Sequence, residues 1–343
     1  MPRIRAVAAV IMAATLWGGL GPSYAWVDAR TDASQLEVVT IRAVAAAIFL
    51  ISLLTVGDGR PPRVERRDGP RVIFFGLITV TLFYPALLMT FEKTSVSVGA
   101  MLLYLAPALV AIGGAVWLGE PLTRVRVLAL GLSFTGLFLV VGGYRPADLS
   151  ASADGVVLGI VSAACYGAYS VLGKPLLGRY PVGTVLAAHL GVGGAGLVVV
   201  KVVIEGWSWP APGEIALIAG TLVLGTTLFP IALYSSGLRR LPAGQASILA
   251  TWEPVVATIL AVAFLGEPLT AGSIAGGLVI IAAAVILLTA EPAGAAAHRG
   301  KQVVTGSTTQ RASAPSGAGP GTGTDHGADE DVSRRRPGPT GRR

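Results

Sequence analysis

The sequence predicts an all-α polytopic membrane protein, with ten transmembrane helices arranged as two inverted five-helix repeats. Three observations carry that prediction. Of 343 residues, 53% are hydrophobic and 13% charged, and the mean hydropathy is +0.69, a balance not expected of a water-soluble globular chain of this size. Ten apolar runs follow one another, each close to the ~20 residues that cross ~30 Å of hydrocarbon as a helix. A hexapeptide, Leu118-Gly-Glu-Pro-Leu-Thr123, recurs unchanged as Leu265-Gly-Glu-Pro-Leu-Thr270.

The runs lie at about 5–26, 36–56, 72–91, 97–118, 126–143, 155–173, 184–204, 215–237, 244–265 and 272–290. Each is continuously apolar and lacks the alternation of a membrane barrel, so helices are expected. The first run follows Arg3 and Arg5, and Ser23-Tyr24-Ala25 would pass as a cleavage site, so a secretory signal peptide is the competing reading. A related helix in mid-chain, where Tyr166-Gly167 answers Trp17-Gly18, favours a retained span. Short loops rich in Gly, Pro and Arg separate the runs. After Glu291 the composition turns to Gly, Pro, Ser, Thr and charge, which predicts a disordered tail over 292–343. Its arginines, Arg334-Arg-Arg336 with Arg342 and Arg343, read as solvated rather than lipid-bound.

Lys and Arg counts in the short loops set the orientation. One side collects Arg3, Arg5, Arg60, Arg63, Arg66, Arg67, Arg71, Arg124, Arg126, Lys174, Arg179, Arg239, Arg240, Arg299 and Lys301, whereas the other holds one basic residue per loop, Arg30, Lys93, Arg145 and Lys201, and none after the ninth run. Both termini are therefore expected in the cytoplasm of a multi-pass protein of the cell (inner) membrane. The net charge of +7 is read as topology, not as a nucleic-acid footprint. Asparagine is absent, which removes any N-glycosylation site, and the Ala, Gly, Val and Arg bias suits a bacterial source. Cys165 stands alone in an apolar run, so neither a disulfide framework nor a thiolate metal site is available.

Without gaps, the hexapeptide register places Pro107 on Pro254 and Arg42 on His189; small shifts also align Thr81-Leu-Phe83 and Pro85 with Thr227-Leu-Phe229 and Pro230. Two halves follow, 5–143 and 155–290. Five helices in each is an odd number, so the halves cross the membrane in opposite orientations. The first hexapeptide continues into Arg124 and Arg126, the second into Ala271-Gly-Ser273, as expected if the copies end on different sides.

Trp-Gly in the first helix, Arg42 in the second and the paired hexapeptide after the fourth and ninth resemble the EamA family of the drug/metabolite transporter superfamily, over about residues 6–290. That resemblance implies a permease, often an exporter of amino acids or other small metabolites; the nucleotide-sugar carriers are similar in architecture.

Glu253 stands near the middle of the ninth run, with Ala246, Leu249, Ala250, Ala257 and Leu260 on its face and Pro254 after it. A carboxylate at the bilayer centre costs at least ~2.5 kcal/mol, so it is expected to face a polar cavity. There it would hold a coupling proton or an amino group of the substrate; the competing reading is a structural carboxyl, protonated or paired with a hydroxyl of a neighbouring helix. Its repeat mate is Ala106, so this role is not duplicated. Pro107 and Pro254 predict helix bends that turn freed carbonyls toward the cavity. For Arg42 two readings are open: a fork of donors for a substrate carboxylate, or a side chain snorkelling outward. His189 is a weaker candidate, more often a hydrogen-bonded interior group, and without a second ligand nearby it predicts no metal site. Trp17, Tyr104, Tyr166 and Trp252, with Tyr24 and Tyr169, are candidates to line an apolar binding site, against ordinary packing. Gly191-Val-Gly-Gly-Ala-Gly196 matches a dinucleotide fingerprint by letters, yet lies in an apolar run, so close helix packing is expected. Glu120 and Glu267 read as loop-forming, and Lys174 and Lys201 as snorkelling.

The expected function is secondary transport of a small organic molecule such as an amino acid or drug, by alternating access around a midplane cavity. Secondary transport is favoured over pumping because no phosphate-cradling Gly-x-x-x-x-Gly-Lys-Ser/Thr loop occurs, and no cofactor is expected. Expected partners are the small-molecule substrate and membrane lipid, with no nucleic acid; a homodimer is left open. The alternative on the same fold is a flippase or carrier for lipid-linked or nucleotide-linked sugars. A membrane enzyme is disfavoured, because the loops offer no clustered nucleophile, metal ligands or carboxylate pair.

Overall fold

The protein was analysed as a computed structural model that describes residues 2–146, 149–266 and 268–290. The tail over 292–343 and Glu267 lie outside the described residues. Among those described, fifteen α-helices make up the spans and no strand occurs, only one bridge between Thr94 and Ala151. The chain is a multi-pass membrane protein: among the described residues, nine helical stretches of 20 to 28 residues are long and apolar enough to cross a bilayer. A tenth helix, α8 (Arg124–Val140), has 17 residues.

Proline chemistry decides which spans are straight. A proline lacks the N–H and its ring crowds the carbonyl four residues earlier. Pro107 opens the fourth span into α6 (Val96–Leu103) and α7 (Ala106–Trp117). Pro254 opens the ninth into α13 (Ala243–Ala250) and α14 (Glu253–Leu265). Pro85 and Pro230 act more gently. Ahead of each the helix widens into a π turn, Leu77–Leu82 between α4 (Gly69–Gly76) and α5 (Phe83–Lys93), and Leu224–Leu228 between α11 (Pro212–Leu222) and α12 (Phe229–Leu238). The extra residue in a π turn absorbs the missing hydrogen bond. The first span breaks at Gly18-Gly19 into α1 (Pro2–Gly18) and α2 (Leu20–Asp28), four residues before Pro22. Unbroken spans are α3 (Gln35–Asp58), α9 (Ala153–Arg179), α10 (Val182–Glu205) and α15 (Ala271–Ala290).

The sequence ends the sixth span near 173; α9 instead continues through Lys174 and Pro175 to Arg179. Lys174 is tolerated there because its ammonium donates to Glu120 Oε1 at 2.7 Å and to the Leu241 carbonyl at 2.6 Å. It is a paired group, not a snorkelling one. Lys201 departs from expectation further. It is fully buried, 3.1 Å from Glu37 Oε1, bonded to the Ser208 carbonyl and lying 4.6 Å from the Trp209 ring centre.

Packing pairs the halves symmetrically. Helix α1 packs on α12 as α5 packs on α9; α7 meets α9 as α14 meets α1; α3 lies on α10, and α8 on α15. Each hexapeptide turns at a left-handed glycine, Gly119 at φ 66° and Gly266 at φ 69°, a conformation a side chain resists. The α8–α15 seam is tight enough that a Cβ on Gly136 would stand 2.8 Å from Ile280 Cγ1. Gly193 and Gly196 of the glycine-rich run seat α10 against Val80 and Thr81, which is helix packing as read from the sequence.

Candidate functional site

The broken and π-widened spans surround a cavity of about 490 Å³, lined by residues of both halves. Trp17, Arg42, Tyr104, Pro107, Tyr166, His189 and Glu253 all line it. Trp252 does not: its indole Nε1 donates to Thr15 Oγ1 at 3.1 Å, turned onto α1. Pro254 is buried behind the wall, where it shapes the break that carries Glu253.

Glu253 opens α14, so the break places its carboxyl at a helix N-terminus, where the N–H groups of the first turn favour a negative charge. Tyr104, from the matching break of the other half, lines the same cavity beside it. Among the described residues no Lys, Arg or His comes within ion-pair distance of Glu253. Across the cavity, Arg42 is 5% exposed. Its Nη2 donates to the Tyr84 hydroxyl, and its guanidinium lies 5.0 Å from the Tyr84 ring centre and 5.7 Å from that of Tyr24. Cation–π contact of this kind steadies a buried cation by roughly 0.5–2 kcal/mol. Among the described residues Arg42 has no carboxylate partner, and it is held inward rather than snorkelling.

His189, the repeat mate of Arg42, is 2% exposed. Its Nε2 lies 2.8 Å from Thr79 Oγ1, and that hydroxyl gives its own proton to the Phe75 carbonyl at 2.6 Å. Thr79 can therefore only accept, so the imidazole carries its proton on Nε2 and leaves Nδ1 as a buried acceptor without a partner among the described residues. Phe75 and Tyr169 hold the ring at 4.5 and 5.2 Å.

Aromatic rings fill the space between the charges. Phe83 stacks on Tyr166 at 5.6 Å and Trp17 meets Tyr234 at 5.5 Å. Tyr169 and Tyr234 hydroxyls are tied to Ser235 and Ser170 at 2.6 and 2.7 Å, so both rings are fixed. Tyr84, Tyr234, Thr79, Thr226 and Thr227 also line the cavity and were not singled out from sequence. Only the repeated Thr-Leu-Phe beside a proline marked that region, and a hydroxyl-rich π turn has no signature of its own.

The cavity reaches Gln35, Leu88 and Phe91, beside the loops at the end away from the arginines. At the arginine-rich end the halves are tied together. Asp68 accepts from Arg71 at 2.8 Å, Arg179 at 2.9 Å and Tyr180 at 2.8 Å. Glu120 accepts from Lys174 and also from the Ala243 backbone N–H at 2.8 Å, capping α13.

This fold and cavity define a membrane transporter, and the comparisons agree. The EamA-like transporter family model matches residues 4–142 and 153–289; the chain belongs to that family. An uncharacterised transporter of Archaeoglobus fulgidus is 28% identical over 282 residues, 81% of this chain and 94% of that one. The uncharacterised inner membrane transporter YicL of Salmonella typhimurium is 25% identical, covering 81% and 93%. A probable terminal-alkyne amino-acid exporter of Streptantibioticus cattleyicolor is 27% identical, covering 82% and 93%. A crystal structure matches with TM-score 0.71 at 17% identity, covering 83% of this chain and 99% of that one, a likeness of fold.

Proposed function

We propose that the chain is a secondary transporter that exports small organic metabolites bearing both an amino group and a carboxylate, with amino acids as the leading class. The observation that supports this is that Arg42 and Glu253, opposite charges, line one aromatic cavity and have no ion partner among the described residues. Arg42 would take the carboxylate through its guanidinium fork. Glu253 would take the ammonium group or, on the return step, a proton. The rings of Trp17, Phe83 and Tyr166 would hold an apolar side chain between them. The amino-acid exporter among the relatives supports the same class.

In this reading the halves 5–143 and 155–290 rock about the cavity. With both termini in the cytoplasm of a cell-membrane protein, the cavity as seen faces outward, closed toward the cytoplasm by Asp68–Arg179 and Glu120–Lys174. The prolines at the breaks and π turns are the hinges. A growth screen of an overproducing strain against toxic amino acids identifies the substrate, and flux is then measured in proteoliposomes. Glu253→Gln and Arg42→Gln should each abolish flux with insertion intact. Normal flux, with normal dependence on pH in the Glu253 variant, would remove these residues from the mechanism.

A further inference from the structure

A second hollow lies outside the cavity. Helix α8 packs chiefly against α15 of the other half, with lesser contacts to α13 and α14. The gap between α7 and α8 is a groove of about 380 Å³, lined by Leu105, Ala108, Leu130, Gly131 and Phe134 and floored by Ser133 and Thr251. It shares Tyr104, Pro107 and Thr251 with the substrate cavity as a common wall. Gly131 shows how open it is, for a Cβ built there meets no atom within 4 Å.

The surroundings name the occupant. The groove opens toward the bilayer, since Val127 and Phe134 on its rim are 56% and 41% exposed. Residues 124, 127, 131 and 134 form one stripe of α8 at helical spacing. Phe134 is ten residues beyond Arg124, about 15 Å along the axis, which is half of the ~30 Å hydrocarbon layer. The stripe thus starts with a cation at headgroup level and ends at mid-membrane. Arg124 is exposed and has no ion partner among the described residues. Trp117, at the same end of α7, is 74% exposed, as aromatic residues at a membrane interface are.

We propose that this groove is a phospholipid site. The phosphate of a lipid in the leaflet at the arginine-rich end sits at Arg124, and one acyl chain lies between α7 and α8 against Ala108, Gly131 and Phe134. The chain packs the outer face of the wall whose inner face carries Tyr104. An unoccupied groove would leave that wall unsupported on one side.

Full-length protein is reconstituted in phosphatidylglycerol–phosphatidylcholine vesicles doped with a phospholipid carrying a mid-chain diazirine, irradiated, and the adducts mapped by mass spectrometry. Adducts are expected on Ala108, Leu130 and Phe134, several-fold denser than on the lipid-facing Ile259 of α14, which is 55% exposed. Gly131→Phe, or Ala108→Leu as a second filling variant, should remove the groove adducts and leave those at Ile259. Arg124→Gln should lower groove labelling by the phospholipid probe but not by a diacylglycerol probe, which has no phosphate. Groove adducts no denser than at Ile259, or persisting when the groove is filled, overturn the proposal. So does a photo-crosslink there to a second copy of the chain, or equal labelling by both probes that Arg124→Gln does not change.

Discussion

At the scale of single residues, burial separates charge pairs that look alike in sequence. Lys201 is fully buried against Glu37, whereas Lys93 and Asp154 meet at 2.5 Å with side chains 38% and 59% exposed. Removing one partner of a buried pair strands the other charge, at a cost of about 3–5 kcal/mol; an exposed pair contributes about 0–1 kcal/mol. Glu37→Gln should therefore lower the thermal midpoint in detergent by several degrees, while Asp154→Asn leaves it nearly unchanged. Equal shifts would contradict the burial of Lys201. His189 offers a second contrast. Thr79→Val removes the acceptor for the Nε2 proton and leaves a buried donor unsatisfied, a loss of about 1–3 kcal/mol read in the same melt; Ser236→Ala, at an exposed hydroxyl bonded only to its own helix, should cost little.

At the scale of elements, glycine and proline set the geometry. Gly119 and Gly266 sit in left-handed turns, so alanine at either should cost about 1–2 kcal/mol. Alanine at Gly131, in the middle of α8 with open space around it, should instead stabilise by up to about 1 kcal/mol through helix propensity. A stability ranking that put Gly131→Ala below the two turn variants would refute this account. Pro107→Ala and Pro254→Ala restore a backbone hydrogen bond and straighten the broken spans. Folding should survive, and transport should fall because Tyr104 and Glu253 lose their places across the breaks.

At the scale of the whole molecule, the paired packing of α1 with α12 and α5 with α9 supports a unit copied and turned over. Reporters fused after Thr123 and after Thr270 should then emerge on opposite faces of the membrane. The ties at the arginine-rich end should control which face the cavity addresses. Combining Asp68→Asn with Glu120→Gln should raise the reactivity of a cysteine placed at Ser247, in a Cys165→Ser background, toward a thiol reagent applied from that end, and lower it from the other. Unchanged reactivity would show that these groups do not hold the closure.

Hydropathy and the repeated hexapeptide determined the class of protein, its family and, nearly, its ten spans, nine of which are long and apolar enough among the described residues, because transfer into lipid is a local property of each segment. Glu253 and Arg42 were visible for the same reason, as charges misplaced in apolar runs. Tertiary structure alone decided what those charges meet. It put Arg42 among tyrosines, set Glu253 and Tyr104 in one cavity at two helix breaks, turned Trp252 away from the cavity and sent Lys201 inward to Glu37. Such outcomes depend on which helices are neighbours and how closely their backbones approach. No single segment holds that information, since an apolar helix presents much the same pattern to lipid, to a cavity and to another helix.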